Sequence, residues 1–323
     1  MVLAVENLFI HGPSSSGPVA VVESLTLALP AATTLALVGE SGCGKTITAL
    51  SIMGLLPPGF FITSGSVKLG GEELTFLSKT ELRQRRGKSM AMIFQEPMTA
   101  LNPVMTVGRQ ITEVLLTHRV CPPSQARDKA IALLGQVGLK EPEKRFSSYP
   151  HEFSGGMRQR VMCVMAICAN PQLIIADEPT TALDATVQAQ ILELLRELQS
   201  QSGAAILLIT HNLLAASILA DRLTVLYAGS VMETGPTAAV LNSPAHPYTR
   251  GLLGSQPRLR LGRDALCGIP PTLAAISGQV PPPGRRPLGC AFFSRCPQAL
   301  KDCRDNRPHP VSKGPEHQAA CFR

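Results

Sequence analysis

The stretch GESGCGKT at residues 39–46 decides the fold of this chain. It matches the pattern G-x-x-x-x-G-K-[ST], in which the backbone N–H groups of a glycine-rich turn surround phosphate oxygens and the following helix adds partial positive charge. An apolar run at residues 34–38 precedes it, and an apolar helical pattern at about 46–56 follows it. A strand, a loop and a helix in this order are the context that the motif requires. We therefore predict a phosphate-binding loop, called the P-loop below, at residues 39–46.

Four side chains are expected to complete a nucleotide site around this loop. Lys45 should reach the β- and γ-phosphates, and the Thr46 hydroxyl should ligate Mg²⁺. The apolar run 173–176 ends in Asp177, expected to hold Mg²⁺, and in Glu178, expected to point the other way from the strand and polarise the attacking water. The predicted ATP-binding residues are Gly39, Glu40, Ser41, Gly42, Cys43, Gly44, Lys45, Thr46 and Asp177.

Apolar, β-branched segments alternate with helical patterns through the first two thirds of the chain. The predicted strands are residues 34–38, 90–94, 173–176, 205–210 and 224–227. Several of them are apolar throughout, as expected for a parallel sheet that is covered on both faces. Residues 186–199 carry apolar side chains at helical spacing. This alternation of strand and helix predicts an α/β fold, and the two phosphate-site motifs indicate that its core is that of a P-loop NTPase.

The composition changes near residue 235, beyond which proline and glycine become frequent. We predict a nucleotide-binding domain at residues 1–235 and a small, irregular, cysteine-rich C-terminal domain at residues 236–323. A helical subdomain is expected at about residues 97–165. The C-terminal segment is too short and irregular to build a sizeable core, so we expect it to need a covalent or metal link.

The bulk composition excludes some classes of function. The chain has 323 residues and a net charge of +7, but it has no tryptophan and only three tyrosines, so stacking surfaces for single-stranded nucleic acid are scarce. No apolar run approaches the roughly 18 residues that span a bilayer, and the N-terminus lacks a signal pattern. We expect a cytoplasmic protein that acts at a membrane only through a partner.

Motifs around the two carboxylates resemble those of the ABC ATPases. FSGGMRQR at residues 153–160 resembles the signature motif, Gln95 the Q-loop, ALD at residues 182–184 the D-loop, and His211 the switch histidine. The resemblance covers about residues 1–235. It implies a catalytic set of Glu178, His211 and Gln95, with Mg²⁺ held by Thr46, Gln95 and Asp177. It also implies nucleotide contacts from Ser154, Gly155, Gly156 and Gln159 of the signature motif and from Asp184 of the D-loop.

The signature motif offers a second anion site, because Ser154-Gly155-Gly156 opens a helix. In the arrangement that the resemblance implies, this helix end caps the γ-phosphate held by the P-loop of another subunit. ATP would then join two subunits, and hydrolysis would loosen them.

Two further stretches, FQEPMTALNP at residues 94–103 and HPYTRGLL at residues 246–253, resemble the ATPases of dipeptide, oligopeptide and nickel importers. This resemblance implies an ATPase at the cytoplasmic face of the bacterial inner membrane. The implied partners are a second, different ATPase subunit, two transmembrane permease subunits and an extracytoplasmic substrate-binding protein, without nucleic acid. A dipeptide, an oligopeptide, nickel, a metal chelate and glutathione all stay open as the substrate.

One departure from the family pattern concerns the adenine-stacking aromatic residue. Gly12 stands near the position where that aromatic is expected, and the neighbouring Phe9 and His11 offer no clear replacement. We expect weaker base recognition at this P-loop, which a comparison of ATP and GTP hydrolysis would test.

The last 34 residues hold four cysteines, Cys290, Cys296, Cys303 and Cys321. Four soft ligands suit either tetrahedral Zn²⁺ or an iron–sulfur cluster, and their spacing alone does not choose between the two. The stretch GCAFFSRCP at residues 289–297 resembles the C-terminal extension of the peptide-importer ATPases, some of which carry a [4Fe-4S] cluster. That resemblance favours iron–sulfur, with Zn²⁺ as the alternative.

Two other functions compete with transport. One is a soluble ABC-type ATPase that acts on nucleic acid or ribosomes. The single ATPase domain and the short span between Lys45 and Ser154, without room for a coiled-coil arm, argue against it. The other is an ATPase regulated by a redox or metal sensor in the tail.

Overall fold

A computed structural model describes residues 1–181, 183–256 and 275–323 of the chain. The strands are β1 (Leu3–Gly12), β2 (Val19–Leu29), β3 (Thr34–Val38), β4 (Phe61–Leu69), β5 (Glu72–Glu73), β6 (Met90–Ile93), β7 (Leu173–Asp177), β8 (Ala205–Thr210), β9 (Arg222–Tyr227), β10 (Ser230–Pro236), β11 (Val311–Gly314) and β12 (His317–Ala319). The α-helices are α1 (Lys45–Ile52), α2 (Lys79–Arg85), α3 (Pro97–Ala100), α4 (Val107–Thr117), α5 (Pro123–Gln136), α6 (Pro142–Phe146), α7 (Gly155–Ile167), α8 (Ala185–Ser202), α9 (Leu213–Leu219), α10 (Thr237–Asn242), α11 (Pro247–Gly254) and α12 (Asp302–Asp305).

The main sheet has the strand order β11-β12-β10-β9-β3-β8-β7-β6. Strands β9, β3, β8, β7 and β6 pair in parallel, whereas β10, β12 and β11 add on antiparallel at the other side of the sheet. Every residue of β3, β7 and β8 is buried, which explains their continuous apolar sequences. The predicted α/β core is confirmed, and the predicted strands agree with β3, β6, β7, β8 and β9 to within two residues at each end.

Two hydrophobic cores lie on opposite faces of this sheet. Along β3, Ala36 and Val38 contribute to one core while Leu35 and Leu37 contribute to the other. The same alternation holds along β7 and β8, as the period of two in a strand requires. Both faces of the strands that carry the functional loops are therefore covered, which fixes the loops at the carboxyl ends of β3, β7 and β8.

A second sheet, of order β2-β1-β4-β5, is antiparallel and was not predicted from the sequence. Its strands do not show a clean alternation of apolar and polar residues. Pairing of β1 with both neighbours shifts register around Glu6 to Phe9, so the burial pattern of β1 is interrupted there. Such shifts move side chains between faces and obscure the strand pattern in the sequence.

Helices α3 to α7 follow one another between β6 and β7, in the region predicted to be the helical subdomain. Within it, α4 packs on α5 and α7. The extent of the subdomain, like the boundary at residue 235, stays a prediction.

The C-terminal segment does not pack as a separate unit in the residues that the structure describes. Strand β12 pairs with β10, with Glu233 opposite Ala319, so the end of the chain extends the main sheet. Tyr248 and Phe292 belong to the same hydrophobic core as the helices over the sheet. The tail therefore obtains part of its packing from the ATPase core, and the predicted cysteine-rich C-terminal domain stays a prediction.

Candidate functional site

The P-loop connects the end of β3 to the start of α1, as predicted. Two of its glycines are required by the geometry. A Cβ atom on Gly39 would lie 2.1 Å from the carbonyl oxygen of Leu226, and Gly44 has a φ of 107°, in the left-handed region. The loop therefore passes close to β9, and its N–H groups turn around an open space at the N-terminus of α1.

Lys45 is the first residue of α1, and its side chain lies under the loop. Its Nζ donates hydrogen bonds to the carbonyl oxygens of Gly39 at 2.7 Å and Glu40 at 2.9 Å. Lys45 also lines the cavity beneath the loop. The ammonium group is thus fixed beside the position that a nucleotide's phosphates would take.

Asp177 ends β7 and faces the P-loop. The Thr46 hydroxyl donates a hydrogen bond to its Oδ1 at 3.3 Å. Burial, which leaves Asp177 2% exposed, raises its pKa to about 6, and the hydrogen bond from Thr46 opposes that effect only in part. Hydroxyl and carboxylate oxygens side by side form the oxygen-rich environment that Mg²⁺ prefers.

Glu178 follows Asp177 in an unusual conformation. Its φ of 46° lies in the left-handed region, so a turn of the backbone, and not the alternation of strand side chains that the sequence suggested, directs it into the cavity. His211 Nδ1 lies 3.0 Å from Glu178 Oε1, and the Thr181 hydroxyl donates to Oε2 at 2.8 Å. Burial raises the pKa of Glu178, but these hydrogen bonds outweigh it and hold the pKa below its ordinary value. The result is an ionised, oriented carboxylate that can align a water molecule.

A single cavity of about 650 Å³ collects these groups. Beside P-loop residues, Gln95, Glu178 and His211 line it, so the structure brings the three predicted catalytic side chains together. Sequence reasoning missed five of the lining residues, namely Val21, Ile47, Thr181, Leu252 and Ser255. Leu252 lies on α11, within the stretch 246–253 that resembles the peptide-importer ATPases, and Ser255 follows this helix directly.

Gly12, near the expected adenine-stacking position, is covered by a ring. A Cβ atom there would lie 2.5 Å from the ring of Phe60, and the ring of His11 stacks on that of Phe61 at 6.1 Å. None of these four residues lines the cavity in the part of the chain that the structure describes. The apolar lining is aliphatic, from Val21, Ile47 and Leu252.

The signature motif opens α7 on the protein surface. Ser154 caps this helix by accepting a hydrogen bond from the N–H of Met157 at 3.4 Å, and Ser154 and Gly155 are exposed. None of Ser154, Gly155 and Gly156 lines the cavity at the described P-loop. Gln159, predicted to contact nucleotide with them, is instead buried in the helix layer, and its amide nitrogen has no hydrogen-bond partner among the described residues.

The D-loop is described in part. Asp184 caps α8, because its Oδ1 accepts a hydrogen bond from the N–H of Val187 at 2.9 Å. Ala182, the first residue of the predicted motif, lies outside the described residues. This carboxylate therefore has a structural role at the helix N-terminus.

Four cysteines of the tail line one small cavity, of about 10 Å³. Burial raises the pKa of Cys290 to about 11, and the three other thiols add to this effect by their charge. The structure therefore places the four thiols around one space. Within the described ranges, no three His, Cys, Asp or Glu side chains are arranged to hold a single metal ion.

The described helices include none that is both long and apolar enough to cross a membrane.

Comparison with known protein families gives two matches along the chain. Residues 22–181 match the ABC transporter family, and residues 232–303 match the oligopeptide/dipeptide transporter C-terminal region. The first match contains the P-loop, Asp177 and Glu178, and the second contains α11 and three of the four clustered cysteines.

Known relatives match nearly the whole chain. The dipeptide transport ATP-binding protein DppD of Bacillus subtilis is 44% identical over 325 residues, which cover 99% of this chain and 94% of the relative. The oligopeptide transport ATP-binding protein AppD of the same organism is 45% identical over 321 residues, covering 99% and 96%.

Solved structures share the fold. The dimeric ABC transporter cassette MJ0796 superimposes with a TM-score of 0.65 at 24% identity, covering 73% of this chain and 98% of that chain. An ATP-binding subunit of an ABC transporter gives a TM-score of 0.61 at 27% identity, covering 79% and 96%.

Proposed function

Because this chain belongs to the ABC transporter ATPases that carry the oligopeptide/dipeptide transporter C-terminal region, we propose that it powers the import of dipeptides or oligopeptides. The observation that supports this proposal most strongly is the single cavity at the P-loop, where Gln95, Glu178 and His211 meet the phosphate site. Nearly full-length similarity to peptide-transport ATPases supports the choice of substrate.

In the proposed reaction, Glu178 aligns the water that attacks the γ-phosphate of ATP. His211 and Thr181 fix the Glu178 carboxylate, and Lys45 neutralises phosphate charge. Thr46, Asp177 and Gln95 would hold Mg²⁺, which supplies further positive charge at the phosphates. The lowered pKa of Glu178 suits orientation of water better than full removal of its proton.

The signature motif is proposed to act on a second subunit. Its helix N-terminus is exposed and lies outside the cavity of its own chain. In a dimer, the ATP bound at the P-loop of another ATPase subunit would place its γ-phosphate at this exposed helix N-terminus. We expect that subunit to be a different chain, so that each ATPase serves one of two transmembrane permease subunits, with a binding protein delivering substrate from outside.

A methionine-rich groove beside the Q-loop is proposed as the docking site for the permease. It has a volume of about 310 Å³, and its lining includes Met53, Leu55, Met92, Phe94 and Met165. Flexible methionine side chains suit the binding of an apolar partner segment. Since Phe94 precedes Gln95 directly, nucleotide state and permease position are linked here. The chain would thus act peripherally at the cytoplasmic face of the membrane.

The groove predicts an effect of Leu55→Asp on transport. A charge at this half-exposed position should remove most permease association and labelled-peptide uptake, by about tenfold or more, since burying an unpaired carboxylate in an apolar interface is costly. ATP binding by the purified chain should persist. Uptake is measured in cells that lack the gene and express each variant.

The matched control is Phe76→Asp, at an exposed apolar residue outside the groove, which should restore uptake fully. Normal uptake with Leu55→Asp would contradict the docking site. If cells that lack the gene take up peptide normally but lose nickel uptake, the peptide assignment is wrong.

We also propose that Cys290, Cys296, Cys303 and Cys321 hold a metal centre that links the tail, with a [4Fe-4S] cluster favoured over Zn²⁺. Four thiols around one cavity are a suitable donor set for either. A single tetrahedral ion requires sulfurs about 2.3 Å from one point, and no such grouping exists in the described chain. A four-iron cluster holds its thiolates farther apart, although the cavity would have to widen to accept it.

Anaerobic purification tests this centre. A cluster predicts brown protein with bound iron and sulfide, both lost in Cys296→Ser and kept in Cys121→Ser, which changes a half-exposed cysteine outside the tail. Colourless protein that contains zinc would exclude the cluster. Protein without either metal would exclude the centre.

Neither competing function is favoured. The described structure adds no feature that suits nucleic acid or ribosome binding, and the relatives are transport proteins.

A further inference from the structure

The second residue of the P-loop, Glu40, is held by the C-terminal segment from two sides. Its backbone N–H donates a hydrogen bond to the hydroxyl of Tyr248 on α11 at 2.9 Å. Its carboxylate accepts hydrogen bonds from both terminal nitrogens of Arg295. Nη1 lies 2.5 Å from Oε2, and Nη2 lies 3.0 Å from Oε1. This is the two-pronged pairing that arginine makes with a carboxylate, which fixes orientation as well as charge.

Arg295 is itself firmly placed. Its side chain is 5% exposed, and its guanidinium lies over the ring of Tyr227 at 5.7 Å. Its Nε donates to the carbonyl oxygen of Ser277 at 2.8 Å, and Nη2 also donates to that of Ile276 at 3.1 Å. The hydrogen bonds to Glu40 raise the pKa of Arg295 above its ordinary value. Because these other partners fix the guanidinium of Arg295, it can in turn fix the position of the Glu40 carboxylate.

Tyr248 is equally rigid. It is fully buried, and its ring lies 4.7 Å from that of Tyr227 and 5.2 Å from that of Phe292. The same helix supplies Leu252 to the lining of the P-loop cavity. The tail therefore forms a fixed surface along one side of the loop.

Glu40 has two properties that matter for ATP. Its carbonyl oxygen accepts a hydrogen bond from Lys45 Nζ, so the placement of Glu40 affects the lysine that meets the phosphates. Glu40 also lines the cavity, where an unpaired carboxylate would repel the polyanionic phosphates. Arg295 cancels that charge, and Tyr248 fixes the backbone.

We infer that Arg295 and Tyr248 are positioning residues of the ATP site, which act through Glu40, so that the C-terminal segment forms part of nucleotide binding. The inference rests on ATP binding at this P-loop. In the alternative role, the ion pair only fastens the tail to the core. The inference differs from that role because it attributes weaker ATP binding without Arg295 to the unpaired charge of Glu40, and not to the loss of a link.

Arg295→Gln tests this inference in the full-length chain. We expect the Kd for ATP, measured by calorimetry, to rise about tenfold, because the partly buried carboxylate of Glu40 would be left unpaired beside the phosphates. The KM for ATP should rise in parallel while kcat changes less than about twofold, since the groups around Glu178 are intact. Arg295→Lys, which keeps the charge but not the two-pronged geometry, should fall between wild type and Arg295→Gln.

The double variant Glu40→Gln, Arg295→Gln separates the two explanations. It lacks the ion pair but leaves no unpaired carboxylate, so most of the lost ATP affinity should return. Tyr248→Phe keeps the ring contacts and removes the hydroxyl, and a rise in Kd of about threefold is expected for one lost hydrogen bond.

The matched control is Arg222→Gln, which breaks another arginine–glutamate pair between the core and the tail, with Glu316, away from the P-loop. Its ATP affinity should equal that of wild type. Unfolding temperatures of all variants show whether each is folded.

Wild-type affinity in folded Arg295→Gln would overturn the inference, as would a double variant that binds ATP as weakly as Arg295→Gln. Failure of the wild-type chain to bind ATP would instead overturn the proposed function.

Discussion

At the scale of single residues, two adjacent carboxylates at the end of β7 have opposite electrostatic environments. Burial raises the pKa of Asp177 to about 6, whereas hydrogen bonds from His211 and Thr181 overcome burial and lower that of Glu178. The ionised form of Asp177 would thus be stabilised by a nearby cation, whereas Glu178 is held in its ionised form by its hydrogen bonds. The difference follows from partners that are distant in sequence, since His211 is 33 positions from Glu178.

The raised pKa of Asp177 predicts that Asp177→Asn stabilises the nucleotide-free, Mg²⁺-free protein. Above pH 6 the folded state must hold a buried charge that the unfolded state holds in water, which lowers the free energy of unfolding. With a rise from 3.8 to about 6, the gain at pH 7 should be about 3 kcal/mol. Urea unfolding in a chelating buffer measures it, and Mg²⁺-dependent ATP binding should be lost.

The pH dependence of this gain provides the control. The folded protein binds its extra proton as pH falls through 6, so the penalty shrinks below that pH and disappears near about pH 3, where Asp177 is largely neutral in both states. The variant and wild type should therefore have nearly equal free energies of unfolding at about pH 3. A variant that is less stable than wild type at pH 7 would contradict the assignment of Asp177 as a destabilising buried charge.

At the scale of elements, β10 joins the core to the tail through one buried carboxylate. Glu233 has no exposed surface, and it accepts hydrogen bonds from the N–H groups of Ala245 at 2.7 Å and His246 at 3.0 Å. His317 Nε2 on β12 lies 2.7 Å from it. One side chain thus fixes a strand, the start of α11 and the last strand of the chain, and indirectly the position of Tyr248.

Glu233→Ala should lower the free energy of unfolding by about 3 kcal/mol, because it leaves buried His317 and the N–H groups of Ala245 and His246 without their partner. Glu316→Ala is the control. It removes a carboxylate that pairs with Arg222 but is 72% exposed, and such pairs contribute about 0.5 kcal/mol. Equal losses of stability, measured by urea unfolding, would refute the special role of Glu233.

The sequence predicts elements well where burial is continuous and poorly where partners are distant. Strands β3, β7 and β8 are apolar throughout because both of their faces are covered, and they were predicted. The antiparallel sheet was missed because register shifts interrupt the pattern of β1. The short strand β12 pairs with β10, far away in sequence, and β11 pairs with β12 in turn, which no local pattern shows.

The same distinction applies to the site. The P-loop, Gln95, Asp177, Glu178 and His211 lie in recognisable motifs, and the structure brings them to one place. The contacts of Arg295 and Tyr248 with Glu40 span 255 and 208 positions, and sequence reasoning missed them. The left-handed turn at Glu178 was also missed, since nothing in the residue itself requires it.

At the scale of the whole molecule, the ATPase core and the C-terminal segment share one hydrophobic core and one sheet. The P-loop is therefore held from the β3 side by the core and from the Glu40 side by the tail. The N-terminus of the signature helix is exposed, so in the proposed dimer the chain would supply two incomplete halves of nucleotide sites. The proposed dimer completes both, which makes ATP a contact between subunits as well as a substrate.

Glu178→Gln tests this central claim most directly. The variant keeps the shape of the side chain but loses the charge that aligns water, so hydrolysis should fall by about a hundredfold or more. ATP should then stay bound, and the chain should remain associated with its ATPase partner in gel filtration. Glu193→Gln, at an exposed position on α8, should hydrolyse ATP and dissociate as wild type does. Hydrolysis at the wild-type rate by Glu178→Gln, with neither retained ATP nor a stable complex, would contradict the account.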